Sequence, residues 1–577
     1  MAIVAYGALL RFDAITQIYG PVTTPRWLRG VQQVRLDHPF PRPSSVHWDR
    51  TPLFPHRDSP PTQYRSDPYT YLQYAREMRS FYAAHRREPL FPFATRVALT
   101  LLDDQDVAVS FASASFSTAA IALTFAVGAV AFSPVVGLAA AFLAAIEYDL
   151  VTTGTAGWRD DAFMCGVLLF VLALLGYARN PQLRMALLIG VAGGLACLVR
   201  LTSLSFFVPG LLWIIVAAPH PWTTRVRHAA AATVVMLALF GPFLVNCWRV
   251  YGDPLYAINV HADVYRESEG TSEPAAGVRD YIGSHLRAHP VRTIDTAIIG
   301  LTRYPFANKW AGFKPWIPGA GRWLSIAALA GMLVFACTAA GRILLVVLVT
   351  SLVPYALTWQ LSADWRFTQH AYPFFLIAAS AAIVLPVSTA TGWRRSAVVP
   401  RPSRRRVAVL AGLAGVVALG AYVVTRQLPA WVFAESLRTG EAATIVSGDR
   451  DGAFFDPEWN EIATAGTIAL RTTRAARPSL RLPLRSGQEY EGLVRIDPRA
   501  DPVAAGAPVS PVHVLLNGRL IATCDTGSVP ERIGVCQFRI PRDAARNGAN
   551  KLTFAAAAPD QSDGFRVWYL RLHRGTS

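Results

Sequence analysis

Apolar residues in this chain gather into long blocks, and polar residues fall between them. The blocks run Val107–Phe132, Val135–Ile146, Ala162–Tyr177, Met185–Val199, Leu201–Ala217, Ala229–Val245, Trp323–Ala340, Ile343–Trp359, Ala371–Val387 and Val407–Val424. Blocks of this kind, without strict alternation, predict membrane-spanning helices. Met1–Leu10 is apolar but too short to cross ~30 Å of hydrocarbon. It reads as the outer half of a first span, either short and tilted or lacking its beginning, and brings the candidate spans to eleven. Val135–Ile146 is the weakest and must borrow from its flanks. Met185–Ala217 is too long for one crossing, so two spans hinged at Arg200 are expected.

After about residue 438 the pattern changes. Ser479–Leu484 and Tyr490–Ile496 alternate as strands do. Val512–Leu516, Asn517-Gly518 and Leu520–Thr523 read as a hairpin with a type I′ turn. Gly534–Ile540, Lys551–Ala555 and Phe565–Leu572 continue the series. Short strands with polar turns predict a β-sandwich or jelly roll. The expected fold class is an all-α polytopic membrane domain over residues 1–430, with outer loops 11–106 and 248–322, followed by an all-β domain over 438–577.

Composition agrees. Of 577 residues, 52% are hydrophobic and 16% charged, with a mean hydropathy of +0.30. A soluble chain of this size carries more charge. The net charge of +17 lies mostly in loops between apolar blocks, so membrane orientation accounts for it better than nucleic acid does. Arg179 with Arg184, Arg225 with Arg227, and the Arg-rich loop Gly392–Arg406 all fall on one side if eleven spans alternate. The positive-inside rule makes that side cytoplasmic. The outer side then receives the two long loops and everything after Thr425. There Cys524 and Cys536 are either a disulfide or two thiols; an oxidising compartment favours the disulfide. Cys165, Cys197, Cys247 and Cys337 read as packing residues.

Most acidic residues of the membrane domain fall on the outer side as well. They are Asp13 after the first span, Asp67, the group Asp103, Asp104 and Asp106, then Glu147 with Asp149, and Asp160 with Asp161. Ionisable groups at the mouth of a helical bundle are costly unless wet, paired or functional. Asp103, Asp104 and Asp106 are expected simply to end a helix.

Four segments carry a resemblance. They are Ser66-Asp67-Pro68-Tyr69-Thr70-Tyr71-Leu72-Gln73-Tyr74-Ala75-Arg76-Glu77-Met78 with Arg87-Glu88-Pro89-Leu90-Phe91-Pro92; Gly157-Trp158-Arg159-Asp160-Asp161-Ala162-Phe163; Leu198-Val199-Arg200-Leu201-Thr202-Ser203; and Asp364-Trp365-Arg366-Phe367 with Tyr372-Pro373. In order and spacing they resemble GT-C membrane glycosyltransferases, in the group of protein O-mannosyltransferases and lipid A aminoarabinose transferases. The resemblance covers roughly residues 60–390. It departs from the family in the Pro-rich insert Pro21–Pro61, which separates Asp67 from the first span, so Asp13 competes with Asp67 for the first acidic position.

The resemblance implies sugar transfer, with inversion, from a polyprenyl-phosphate donor to an extracytoplasmic glycan, lipid or protein. The chemistry suits the residues. An acceptor hydroxyl needs a base, and Asp67 or Asp13 would serve, its pKa raised by partial desolvation. The phosphate leaving group needs cations, and Arg200 and Arg366 are the candidates, unless they only snorkel. Glu147, Asp149, Asp160 and Asp161 would contact substrate or a metal. A divalent metal is left open, with His261 and His370 as weak ligands. A transporter or flippase, or a non-catalytic subunit of an envelope polysaccharide pathway, are the competing readings. The first would bury charge at mid-membrane; the second would tolerate loss of Asp67.

Overall fold

The computed structural model describes residues 1–19, 66–217, 220–268, 277–302, 320–358, 365–390, 427–446, 450–459, 462–465, 468–473, 475–498, 511–524, 535–556 and 565–575, with residues 25, 420 and 423. The span Val407–Val424, the loop Gly392–Arg406, the insert Pro21–Pro61 and Asp364 lie entirely or almost entirely outside these. The chain forms two units, one of Met1–Gly283 with Thr296–Arg401, the other of Ser284–Asp295 with Pro402–Ser577.

Helices in chain order are α1 Ala2–Tyr19, α2 Ser66–Glu77, α3 Leu90–Leu101, α4 Ala108–Ala131, α5 Pro134–Ile146, α6 Tyr148–Gly154, α7 Asp160–Arg179, α8 Leu183–Val199, α9 Leu204–Ala217, α10 Trp222–Tyr251, α11 Tyr256–Ser268, α12 Val278–Ala288, α13 Pro290–Thr302, α14 Ala320–Cys337, α15 Ala339–Leu357, α16 Tyr372–Ala390 and α17 Leu428–Thr439. By length and composition α4, α7, α10, α15 and the run Arg366–Leu385 can each cross a membrane, and the bent pair α5–α6 makes a sixth among the described residues. Shorter apolar helices accompany them, including α3, α8, α9 and most of α14. Val216, Val234, Leu329 and Leu212 are more than half exposed on these helices. Such faces are stable against lipid and not against water. The protein is an integral membrane protein.

Local chemistry explains the breaks. Ser133 caps α5, accepting from Val136 N at 3.3 Å, with Pro134 in the first turn. Glu147 separates α5 from α6 by a 62° bend. Its carboxylate accepts from Leu150 N at 2.6 Å and so caps α6. The short block Val135–Ile146 thus continues through a bend. At Arg200 the backbone is extended, and a 3-10 turn Leu201–Ser203 joins α8 to α9, as the hinge reading expects. Backbones touch where side chains vanish: a Cβ on Gly190 would collide with Ala232 O, and one on Gly331 with Ala378 O. Small residues of this kind let membrane helices approach closely.

One expectation fails at the N-terminus. The first helix does not end near Leu10; α1 runs to Tyr19 and carries Arg11 and Asp13 within it. Arg11 is 1% exposed. Its guanidinium donates to Ser117 Oγ at 2.8 Å, Gly7 O at 3.0 Å and Ala145 O at 3.3 Å. Paired this way, a cation fits inside the bundle.

The second unit holds two antiparallel sheets. Strands β1 Ala443–Val446, β2 Ile462–Ala465, β3 Ile468–Thr473, β4 Ser479–Leu484, β5 Tyr490–Pro498, β6 Val512–Leu516, β7 Arg519–Cys524, β8 Val535–Ile540, β9 Gly548–Ala556 and β10 Phe565–Arg574 order as β2-β3-β10-β5-β8, with β1 also on β10, and as β4-β9-β6-β7. Leu480, Leu482, Val512 and Val514 of one sheet share a core with Val494, Ile496, Leu570 and Leu572 of the other. That is a sandwich. Asn517 and Gly518 have φ of 52° and 88°, as a type I′ turn requires. Within this unit Glu435 of α17 caps α13, accepting from Val291 N at 3.0 Å and Arg292 N at 2.8 Å.

Cys524 ends β7 and Cys536 lies in β8, so their disulfide joins the two sheets, with Cα atoms 5.5 Å apart. Cys524→Ser in the full-length protein is expected to destabilise the sandwich by about 2–4 kcal/mol. Thermal unfolding with and without reductant measures this; an unchanged midpoint counts against it.

Candidate active site

The site is built on α2, whose second residue is Asp67. The N-terminal turn of a helix favours a carboxylate, and Pro68 beside it lacks an N–H that the first turn would leave unused. The far end of α2 is clamped. Arg76 donates to Asp104 Oδ1 at 3.0 Å, Asp104 O at 2.8 Å and Asp106 Oδ1 at 2.8 Å. These acids therefore do more than end a helix: they hold α2 against the turn between α3 and α4.

Arg87 and Glu88, between α2 and α3, take separate partners. Arg87 pairs with Asp67 Oδ1 and contacts His261 Nε2 of α11. Glu88 pairs with Arg159 and accepts from Leu201 N at 2.8 Å. Arg159 also donates to Val199 O at 3.2 Å. Next to it, Asp160 Oδ1 takes Arg200 at 2.8 Å, and Arg200 donates to Tyr355 OH at 3.0 Å with its charge over the Phe163 and Tyr355 rings. Arg366 lies 3.9 Å from Asp67 Oδ2 and stacks 4.1 Å over Trp158.

Three acid–arginine couples thus sit together, and they differ in access. The side chains of Glu88 and Arg159 are 3% and 6% exposed, and those of Asp160 and Arg200 are 6% and 8%. Asp67 is 29% exposed and shares two guanidiniums. Only this couple, of the three, is open to a ligand. The sequence reading expects the Asp67 pKa to be raised. Burial does push it up, but Arg87 and Arg366 outweigh burial and hold it below the usual carboxylate range. Burial and the adjacent Arg87 push His261 well below its ordinary value, so it is neutral at pH 7.

The other expected residues are elsewhere. Asp13 lies in α1 with its carboxylate on Gln17 Nε2 at 3.0 and 3.1 Å. Glu147 caps α6 and accepts from Tyr372 OH at 3.2 Å. Asp149 is in the first turn of α6. Asp161 turns into the bundle and accepts from Gln369 Nε2 at 3.2 Å. His370 meets Ser351 Oγ at 3.0 Å. Among the described residues no three His, Cys, Asp or Glu side chains group as a metal site. Arg87, Glu88, Trp158 and Arg159 stand in the segments quoted from sequence but were given no role there, and Tyr355 was not named. The adjacent Arg87-Glu88 pair just before Pro89 was the available signal, since adjacent opposite charges entering an apolar helix need partners.

Residues 86–246 match the family described as dolichyl-phosphate-mannose-protein mannosyltransferase. The mannosyltransferase match contains Arg87, Glu88, Arg159, Asp160, Asp161 and Arg200; Asp67, His261 and Arg366 lie outside it. Of the four segments that resemble GT-C glycosyltransferases it covers the second and third and the Arg87–Pro92 part of the first; Ser66–Met78 and the segment around Arg366 lie outside it. No curated protein matches the sequence. Among solved structures, the archaeal oligosaccharyltransferase AglB from Archaeoglobus fulgidus, in complex with an inhibitory peptide and a dolichol-phosphate, is similar at 14% identity and a TM-score of 0.40, over 73% of this chain and 55% of that one. ArnT from Cupriavidus metallidurans bound to undecaprenyl phosphate is similar at 16% identity and a TM-score of 0.39, over 65% of each chain. This chain thus spans about half the length of AglB. Likeness at this level carries no residue roles with it.

Proposed function

We propose that this protein transfers a sugar from a polyprenyl-phosphate donor to a glycan, lipid or protein acceptor outside the cytoplasm. The observation that carries the reading is Asp67, a partly open carboxylate at a helix N-terminus, flanked by Arg87 and Arg366. The mannosyltransferase match next to it supports the donor class. In the reaction the acceptor oxygen attacks the anomeric carbon, the bond from that carbon to the phosphate oxygen breaks, and polyprenyl phosphate leaves. The acceptor proton passes to Asp67. Arg366 and Arg87 take the charge that grows on the leaving phosphate. Arg200, committed to Asp160 and Tyr355, holds the hinge between α8 and α9 rather than the donor. The C-terminal sandwich lies outside the cytoplasm, in a bacterial inner membrane protein, and binds glycan or positions the acceptor.

Arg366→Lys keeps the charge but loses the planar fork. It is expected to raise the donor KM about tenfold, the worth of one charge-assisted hydrogen bond. An unchanged donor KM would return Arg366 to a structural role on Trp158. For the topology, a single thiol at Gly487 is expected to react with an impermeant reagent added outside intact cells, while one at Ser396 does not. The reverse pattern would put the site on the wrong side for an extracytoplasmic acceptor.

A further inference from the structure

Asp160 and Asp161 are adjacent, yet they meet different surroundings. Asp160 has a guanidinium at 2.8 Å. Asp161 is 1% exposed and has no such partner. Its Oδ2 accepts from Gln369 Nε2 at 3.2 Å, and the Ser117 hydroxyl, which accepts from Arg11, also faces this carboxylate; among the described residues no hydrogen bond reaches Oδ1. Gln369 is also 1% exposed, and among the described residues its Oε1 has no hydrogen bond either. The charged and titratable groups facing Asp161 are Arg11 from α1 and, on its own helix, Asp160 and Cys165; Glu147 faces the same Arg11. Arg11 gives its hydrogen bonds to Ser117, Gly7 O and Ala145 O.

Two buried oxygens are thus orphaned on two side chains that already touch. An ionised carboxylate only accepts, and so does an amide oxygen. Each buried orphan has given up a hydrogen bond that water would supply, without a replacement. One proton resolves both: on Oδ1 it makes a donor, and Gln369 Oε1 is the acceptor lacking one. The acid and the amide then pair through two hydrogen bonds.

We infer that Asp161 is held as the neutral acid, doubly paired with Gln369, and that this pair fixes the 3-10 segment Trp365–Ala371, which carries Arg366. Asp161 is then a positioning residue. It acts on the donor phosphate only through Gln369 and Arg366, and this last step rests on the function proposed above.

The test uses the full-length protein in lipid nanodiscs. Asp161→Asn preserves the double pairing, because the Asn amide donates where the acid did and accepts at its oxygen. It is expected to keep the wild-type melting temperature and donor KM. Asp161→Ala is expected to melt lower and to raise the donor KM about tenfold. The infrared difference between wild type and Asp161→Asn is expected to contain a protonated-carboxyl band at neutral pH. Absence of that band, or an Asp161→Asn variant that melts like the wild type but has lost transfer, would overturn the inference. If the wild type itself transfers no sugar, the proposed function falls, and the band and the melting order still decide the state of Asp161.

Discussion

Asp67→Asn is expected to lower sugar transfer by about 10²–10⁴-fold while the protein folds as before. The amide is nearly isosteric, but it cannot take a proton. Asp67 is 29% exposed, so solvent screens part of its pairing with Arg87 and Arg366, and the Asn oxygen can still accept from both. Asp13→Asn is the control: Asp13 faces Gln17 within its own helix, and the substitution is expected to leave transfer intact. Equal activity in both variants would remove the enzyme reading. The pH profile has a defined sign. Because the two guanidiniums hold Asp67 below the usual range, it is ionised at neutral pH and gains a proton only as pH falls through its lowered pKa. The acid limb of kcat/KM is therefore expected at lower pH than for an ordinary carboxylate. Arg366→Gln removes one of the two cations and is expected to move that limb upward. The stabilising part of the pairing follows the same direction, present above the unfolded pKa and lost on acidification.

Glu88→Gln is expected to have the largest effect on stability. Glu88 and Arg159 are both nearly sealed. Removing one partner leaves the other charge buried without compensation, which costs about 3–5 kcal/mol. Gln still offers an oxygen to Leu201 N, so the loss reports the charge and not the backbone contact. The double variant Glu88→Gln, Arg159→Met is expected to recover part of it, because an apolar side chain needs no counter-charge. Thermal unfolding of the four proteins in nanodiscs measures the coupling. Strictly additive losses would mean the two residues do not act as a pair.

Much of this architecture could be read along the chain. Apolar blocks become helices because lipid admits little else, and the hinge at Arg200 follows from a block too long to cross once. The Asn517-Gly518 turn and its flanking strands were explicit. The first helix was cut short because Arg11 and Asp13 look like an end. What keeps Arg11 inside is Ser117, 106 positions away, which no local pattern reveals. β1 and β2 have four residues each, too few for an alternation to stand out in the sequence, so they were missed, along with β3. In the site, Asp67 and Arg366 were legible as residue types in a motif. Their relation was not. The pKa of Asp67 depends on two arginines brought together by folding, and its sign was misjudged from desolvation alone. The partnership of Glu88 with Arg159 likewise spans 71 positions and exists only in three dimensions.

The sandwich carries two features that bear on how the protein avoids its own copies. β7 is an edge strand of the smaller sheet and β8 an edge strand of the larger one. Edges are where a sheet recruits foreign strands, through rows of unspent backbone donors and acceptors. The disulfide ties these two edges to each other, so neither can peel away to pair with another chain. At the opposite edge of the smaller sheet, β4 carries Pro483, which has no N–H to offer a new neighbour. Reduction of the Cys524–Cys536 bond would therefore do more than lower a melting temperature. It would free one flank of the domain for self-association, and a chain whose bond failed to form would be prone to aggregate before it could act.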